Sequence, residues 1–167
     1  MTKLAEELKK LGIIKKGKFI GTSGKVLDFY IDMKKVLGYP LVSELICDEF
    51  CRTVNKRATC VASIGYGGLP LAARVSFKLG LPLIVIRDKP RKHGLKNLID
   101  GYMPTKKDRV IMLDDVFTMG TSMTKIIKSL SKTKAKILAG YVVVNRRGVS
   151  KFKIPIKSLI PIEKLTF

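Results

Sequence analysis

Acidic residues are scarce in this chain, and several residue types are missing. Of 167 residues only 13 are Asp or Glu, against 33 Lys or Arg; tryptophan and glutamine are absent, histidine occurs once and cysteine three times. No stretch approaches the roughly 18 uninterrupted apolar residues of a membrane span, which excludes a transmembrane helix in this sequence. An export signal is not visible either. The N-terminal "MTKLAEELKKLG" sets Leu4, Leu8 and Leu11 at helical spacing with charges between them, which describes an amphipathic helix and not the apolar core of a signal peptide. The odd set Cys47, Cys51 and Cys60 offers no paired framework, so these are expected to be buried thiols of a cytoplasmic protein. The i, i+4 spacing of Cys47 and Cys51 suits helix packing as well as it suits a metal. Abundant Lys without Gln is a bias of proteins from hot environments, and a mesophile-like melting temperature would count against that origin.

What is present is a core-forming composition with a strong positive charge. At 46% hydrophobic and 28% charged, the sequence predicts one soluble domain over 1–167, with an N-terminal segment, 1–40, in front of a core, 41–167. The net charge of +20 raises a polyanion partner. The basic residues are spread along the whole chain instead of forming a stripe, however, so a solvated surface is expected and nucleic acid is not the expected partner. No internal repeat or linker interrupts the pattern.

The apolar period changes several times. "ATCVASIG" (58–65) is a β-branched strand ending in Gly, and "LPLAARVSFKLG" (69–80) is a helix closed by Gly80. "LPLIVI" (81–86), "RVIMLDD" (109–115) and "AKILAGYVVVN" (135–145) read as further strands, and "TSMTKIIKSLSK" (121–132) as a helix with Ile126, Ile127 and Leu130 inward. A hairpin is expected within 17–37, a helix over 41–54 and a short final strand with a tail in 152–165. Strands this apolar, alternating with helices, predict an α/β fold: a mostly parallel sheet flanked by helices, binding ligands beyond the strands' carboxyl ends.

One such end is "VIMLDDVFTMGTSM" (110–123), where Asp114 and Asp115 are expected to terminate the strand and 117–122 to curl into the next helix. Backbone N–H groups at that helix start, with the Thr118, Thr121 and Ser122 hydroxyls and the close approach permitted by Gly120, suit a phosphate. Two adjacent carboxylates repel a bare polyphosphate but accept hydrogen bonds from sugar hydroxyls, so the combination indicates a sugar phosphate. The plainer alternative is an ordinary helix cap beside exposed acids.

At these residues the chain resembles the type I phosphoribosyltransferases, whose phosphoribosyl-pyrophosphate signature is an apolar run, two acids and a Thr/Gly-rich loop. The resemblance implies that Asp114 and Asp115 hold the ribose hydroxyls and that Thr118, Met119, Gly120, Thr121 and Ser122 hold the 5′-phosphate. Other segments are similar to the orotate branch: "GKFIGTSGKVLDFYID" (17–32), "IGYGGLPLA" (64–72), "RDKPRKHGLKNLIDG" (87–101) and "VVVNRRG" (142–148). That similarity implies a Rossmann-like phosphoribosyltransferase fold with an N-terminal hood, and transfer of a phosphoribosyl group to orotate. It assigns Tyr66, Gly67 and Gly68 to a pyrophosphate-binding turn, and Phe29, Tyr30 and Arg146 to the base. A homodimer with shared sites follows from the family's basic loop reaching into the neighbouring subunit.

Displacing pyrophosphate from C1 builds positive charge on the sugar and negative charge on the leaving group, which calls for Mg²⁺, carried by the substrate with no direct protein ligand, and for cations. Arg87, Lys89, Arg91, Lys92 and His93 supply cations, and Gly94 and Gly101 would let the segment close as a lid. Arg91 and His93 are the catalytic candidates beside Asp114 and Asp115; the alternatives are a surface histidine and a solvated basic connection. Four residues depart from the orotate pattern. Thr22 and Asp88 stand where Lys is usual, Arg91 replaces a Lys, and Asn145 replaces the acid before Arg146. Arg91 keeps the charge in a planar fork, and Lys25, Lys89 or Lys92 are the candidates to compensate for the rest.

Overall fold

The structure is a computed structural model and describes residues 2–20, 26–89, 98–146 and 152–165. Thr2 caps the first helix, α1 (Lys3–Lys10), by accepting from the Ala5 N–H at 3.4 Å, and the helix buries Leu4, Ala5 and Leu8. The predicted hairpin is β1 (Ile14–Ile20) with β2 (Val26–Ile31), and it begins earlier than the sequence pattern indicates. Four exposed residues in a row, Lys15 to Lys18, hide the alternation that would have marked β1. A 3-10 turn over Met33–Gly38 buries Met33 and Val36 and leads into α2 (Pro40–Thr53), which Pro40 opens at a position where no N–H is needed.

The core then alternates: β3 (Cys60–Ile64), α3 (Gly65–Leu79), β4 (Leu83–Ile86), β5 (Ile99–Gly101), β6 (Arg109–Phe117), α4 (Thr121–Leu130), β7 (Lys136–Asn145) and β8 (Ile156–Pro161). The strands form one sheet in the order β5-β4-β3-β6-β7-β8, parallel except for the antiparallel β4–β5 pair. This is the expected α/β sheet. All five residues of β3 are buried, as a strand covered on both faces requires. One apolar cluster joins α1, α2 and α3 to one face through Leu8, Ile46, Phe50, Leu71, Ile111, Leu113 and Tyr141. The other packs α4 on the opposite face through Met123, Ile126, Leu130, Ala62, Met112 and Val142.

Three differences from the sequence pattern bear on the site. Strand β6 does not stop at Asp115 but continues to Phe117. Helix α3 begins at Gly65, so the Gly-rich stretch expected as a turn is the helix's first turn. Residues 99–101, expected within the basic loop, form the edge strand β5. Gly80, with φ of +62°, closes α3 as expected.

At the amino ends of the strands, Asp108 accepts from the Thr105 N–H at 2.8 Å, the Thr105 hydroxyl at 3.0 Å and the Thr59 hydroxyl at 2.9 Å. These bonds to the charged form hold its carboxyl below the usual range and pin the start of β6 to the start of β3. All three cysteines are free; Cys47 and Cys60 are buried, which pushes each thiol up to about 11, and Cys51 is half-buried. Among the described residues no helix is long and apolar enough to cross a membrane.

Candidate active site

The chain winds outward from β3 to β4 and β5, then returns to the other flank of β3 as β6 and continues to β7 and β8. The winding direction therefore reverses between β3 and β6, and the crevice at the carboxyl ends of these two strands is where an open α/β sheet takes its ligand. Strand β6 outruns β3 there. Its pairing with β3 ends at Ala62↔Met112, whereas its pairing with β7 runs on to Phe117↔Asn145. Asp114 and Asp115 thus lie where β6 has lost one neighbour, and the first turn of α3 takes that place. The Ser63 hydroxyl donates to the Leu113 carbonyl at 2.8 Å and ties the two strands together just below the acids.

This packing explains the glycines. A Cβ on Gly67 would overlap the Asp115 carboxylate, and one on Gly68 would sit 2.6 Å from Asp114 Oδ1 and 2.7 Å from Asp114 Cα. Both acids accept from the backbone N–H that follows them: Asp115 N–H to Asp114 Oδ1 at 2.9 Å, and Val116 N–H to Asp115 Oδ1 at 2.8 Å. Asp114 is buried and Asp115 half-buried. Burial, and then the neighbouring Asp115 charge, hold the Asp114 carboxyl well above the usual range. Hydrogen bonds from the Asp115 N–H and the Ser122 side chain oppose this without cancelling it.

Beyond the acids, Gly120 is the N-cap of α4 with φ of +76°, a left-handed conformation. A Cβ there would stand 2.5 Å from the Phe152 ring, so glycine is required by backbone and by space. Thr118, Met119 and Thr121 are exposed and Ser122 is half-buried, which sets the helix-start N–H groups and these hydroxyls beside the carboxylates. Tyr66, 87% exposed, stands at the rim.

The basic segment is described only at its ends. Arg87 donates its N–H to the Leu98 carbonyl at 2.8 Å and pairs through Nη1 with Asp100 Oδ2 at 2.9 Å, so the segment's two ends are joined. Lys89 is exposed. Arg91, Lys92, His93 and Gly94, like Thr22 and Lys25, lie outside the described residues. Asp88 pairs with Lys125 of α4 at 2.6 Å, a cation the sequence reasoning did not name. Its signal was available: Lys125 follows Thr121 by four residues and so lies one turn along the same face. Asp100, the partner of Arg87, was hidden by the three-residue length of β5.

Of the three base-site candidates, two meet. The Arg146 guanidinium carbon lies 4.0 Å from the centroid of the Phe29 ring. Tyr30, the next residue on β2, points to the other face and packs on Phe19 with centroids 5.7 Å apart. Among the described residues no group of three or more His, Cys, Asp or Glu side chains is arranged to hold a metal ion.

No protein-family model matches the chain. It is 31% identical over 169 residues to the orotate phosphoribosyltransferase of Methanocaldococcus jannaschii, covering 98% of this chain and 96% of that protein. Against the orotate phosphoribosyltransferase of Thermoplasma volcanium it is 36% identical over 143 residues, covering 86% of this chain and 84% of the other. The solved structure of orotate phosphoribosyltransferase from Aeropyrum pernix superposes with a TM-score of 0.82 at 28% identity, covering 97% of this chain and 96% of that one. Such likeness over most of the length of both partners, in a fold whose switch point carries the acidic pair on β6, has one conclusion: the chain belongs to the orotate phosphoribosyltransferase family.

Proposed function

We propose that the chain transfers the 5-phosphoribosyl group from phosphoribosyl pyrophosphate to orotate, giving orotidine 5′-phosphate and pyrophosphate, a step of pyrimidine synthesis. The observation that carries this reading is the acid pair at the switch point, with the α4 start on one side and the first turn of α3, where Gly67 and Gly68 face the acids, on the other. Asp114 and Asp115 accept from the ribose hydroxyls, and the α4 N-terminus with Thr118, Met119, Gly120, Thr121 and Ser122 takes the 5′-phosphate. The bond from C1 to the pyrophosphate oxygen breaks as a bond from C1 to N1 of orotate forms, and the N1 proton passes to solvent.

On this reading the departing negative charge falls to Tyr66, Gly67 and Gly68 and to the cations Arg87, Lys89, Arg91, Lys92 and His93, of which Arg91, Lys92 and His93 lie outside the described residues. Lys125, fixed beside that segment by Asp88, adds one more. Two adjacent carboxylates, one of them buried, fall short of a full oxygen shell for Mg²⁺. That donor set fits an ion carried by the substrate's own oxygens, where it would neutralise the developing pyrophosphate charge.

The same proposal places the protein in the cytoplasm as a single domain over 1–167, with 1–40 as a hood. It works as a homodimer. Tyr66, Pro70, Ala73 and Phe77 recur along one face of α3, and Phe77 is 91% exposed, an expensive display for an aromatic ring unless a second copy covers it. Because this face begins at Tyr66, on the rim of the crevice, the partner stands at the mouth of the site. Phe77→Lys is expected to convert a dimer into a monomer, measured by light scattering during size exclusion; an unchanged mass would count against this face.

The test of the function is direct. Purified protein mixed with phosphoribosyl pyrophosphate, Mg²⁺ and orotate should consume orotate absorbance in step with pyrophosphate release, and stop when Mg²⁺ is chelated. Binding of the sugar pyrophosphate without turnover would instead favour a non-catalytic sensor.

A further inference from the structure

The Phe29 ring is already engaged within the protein, and this changes what it can do for a ligand. It packs against the core cluster beneath the hairpin and carries the Arg146 guanidinium over its face at 4.0 Å. A planar guanidinium has flat faces that stack and an edge of five N–H donors that hydrogen-bonds. A guanidinium laid flat on a ring uses its face and keeps its edge for a ligand. Among the described residues no carboxylate pairs with Arg146, and the residue before it, Asn145, is uncharged. The backbone is fixed as well: the Arg146 N–H donates to the Phe117 carbonyl at 3.0 Å, which holds the arginine at the end of β7 beside the strand that bears the acid pair.

We propose that Phe29 is a positioning residue for Arg146, not a platform for the base: its ring holds the guanidinium flat, so that the in-plane fork is presented for bidentate capture of the ligand's carboxylate. The inference rests on the function proposed above, because it takes orotate as the ligand whose carboxylate is read. It assigns selectivity to the pair. A flexible arginine pays rotamer entropy each time it engages, whereas a stacked one is set in place before the base arrives. Discrimination between a carboxylate-bearing base and an uncharged one, such as uracil, therefore depends on a residue that does not touch the base.

Phe29→Leu keeps an apolar side chain of somewhat smaller volume but removes the π face, and Phe29→Tyr keeps the face. The leucine variant is expected to raise KM for orotate about tenfold (about 1.4 kcal/mol), leave KM for phosphoribosyl pyrophosphate and kcat within about twofold, and narrow the preference for orotate over uracil. Phe29→Tyr should restore the wild-type value. In substrate-free protein, the Arg146 Nε–H proton should resonate upfield from the ring current and move back in the leucine variant. A normal KM for orotate in Phe29→Leu, or an equal loss in Phe29→Leu and Phe29→Tyr, overturns the proposal. So does a wild-type protein with no ring-shifted arginine, a readout that needs no variant to fold. Wild-type protein that shows the shift but turns over no orotate sinks the functional reading and, with it, the carboxylate role, while a missing shift in an active enzyme sinks the positioning role alone.

Discussion

Asp114→Asn is expected to raise the melting temperature of the ligand-free protein while it removes affinity for phosphoribosyl pyrophosphate. Asp114 is buried against Asp115, and both burial and that neighbour's charge raise its pKa. A carboxyl whose folded pKa lies above its unfolded value stabilises the fold fully below the ordinary carboxylate range, and that contribution is lost as pH rises through the raised value. At neutral pH the wild type has therefore lost much of that contribution, since the unfolded chain is ionised there. Asparagine stays neutral, its carbonyl still accepts from the Asp115 N–H, and its amide can donate to the Asp115 carboxylate. The gain should be about 2–4 °C for each kcal/mol relieved in a chain of this size. It should widen with rising pH and vanish in acid, where both proteins are neutral at this position. Binding moves the other way, because the ribose loses one of the two carboxyl groups that receive its hydroxyls, and a drop of at least about thirtyfold is expected (about 2 kcal/mol). Differential scanning across pH, with calorimetric titration of the sugar pyrophosphate, measures both. A variant that binds normally, or melts lower at every pH, would show that the pair is structural.

That opposition between stability and binding is why the acid pair was legible in sequence. Two adjacent carboxylates after an apolar run contradict local packing preference, and such local contradictions mark sites. The α4 start was legible for the same reason, since Gly120 and the hydroxyls around it follow known backbone demands. What stayed hidden depends on approach between distant segments. Gly65, Gly67 and Gly68 are poor helix formers and read as a turn, yet they lie in the first turn of α3: the carboxylates of β6 occupy the space a side chain on Gly67 or Gly68 would need, and Gly65 takes a left-handed φ of +76°. Strand β5 has three residues, one of them the partner of Arg87, and gives no period to detect. The Phe29–Arg146 stack joins the hairpin to the end of β7, and no local pattern announces a contact across that separation. Likewise, Asp88 read as a lost cation and is instead the anchor of Lys125.

Gly68→Ala should be the most damaging conservative change outside the acids themselves. The added methyl would lie 2.6 Å from Asp114 Oδ1, 2.7 Å from Asp114 Cα and 3.1 Å from Ser63 Oγ. A flexible side chain can move aside, but the Asp114 backbone is held in the ladder to β7 through Asp114↔Val142, and Ser63 is tied to the Leu113 carbonyl. Helix α3 must therefore shift away from β6, at a cost of about 1–3 kcal/mol for overpacking a filled site. Alanine favours the helix over glycine by up to about 1 kcal/mol, which offsets only part of this. The functional loss should exceed the loss of stability, because the shift widens the gap between the pyrophosphate turn and the acids, and misplacement by about 1 Å can cost about a hundredfold in rate. Gly67→Ala should be milder, since the group it meets is the Asp115 carboxylate, the end of a half-exposed side chain that can rotate. Measuring kcat/KM and denaturant midpoints for both variants separates these effects. The packing account requires Gly68→Ala to lose more of each than Gly67→Ala, and the reverse order would mean that the glycines serve the substrate's approach and not the seating of α3 on β6.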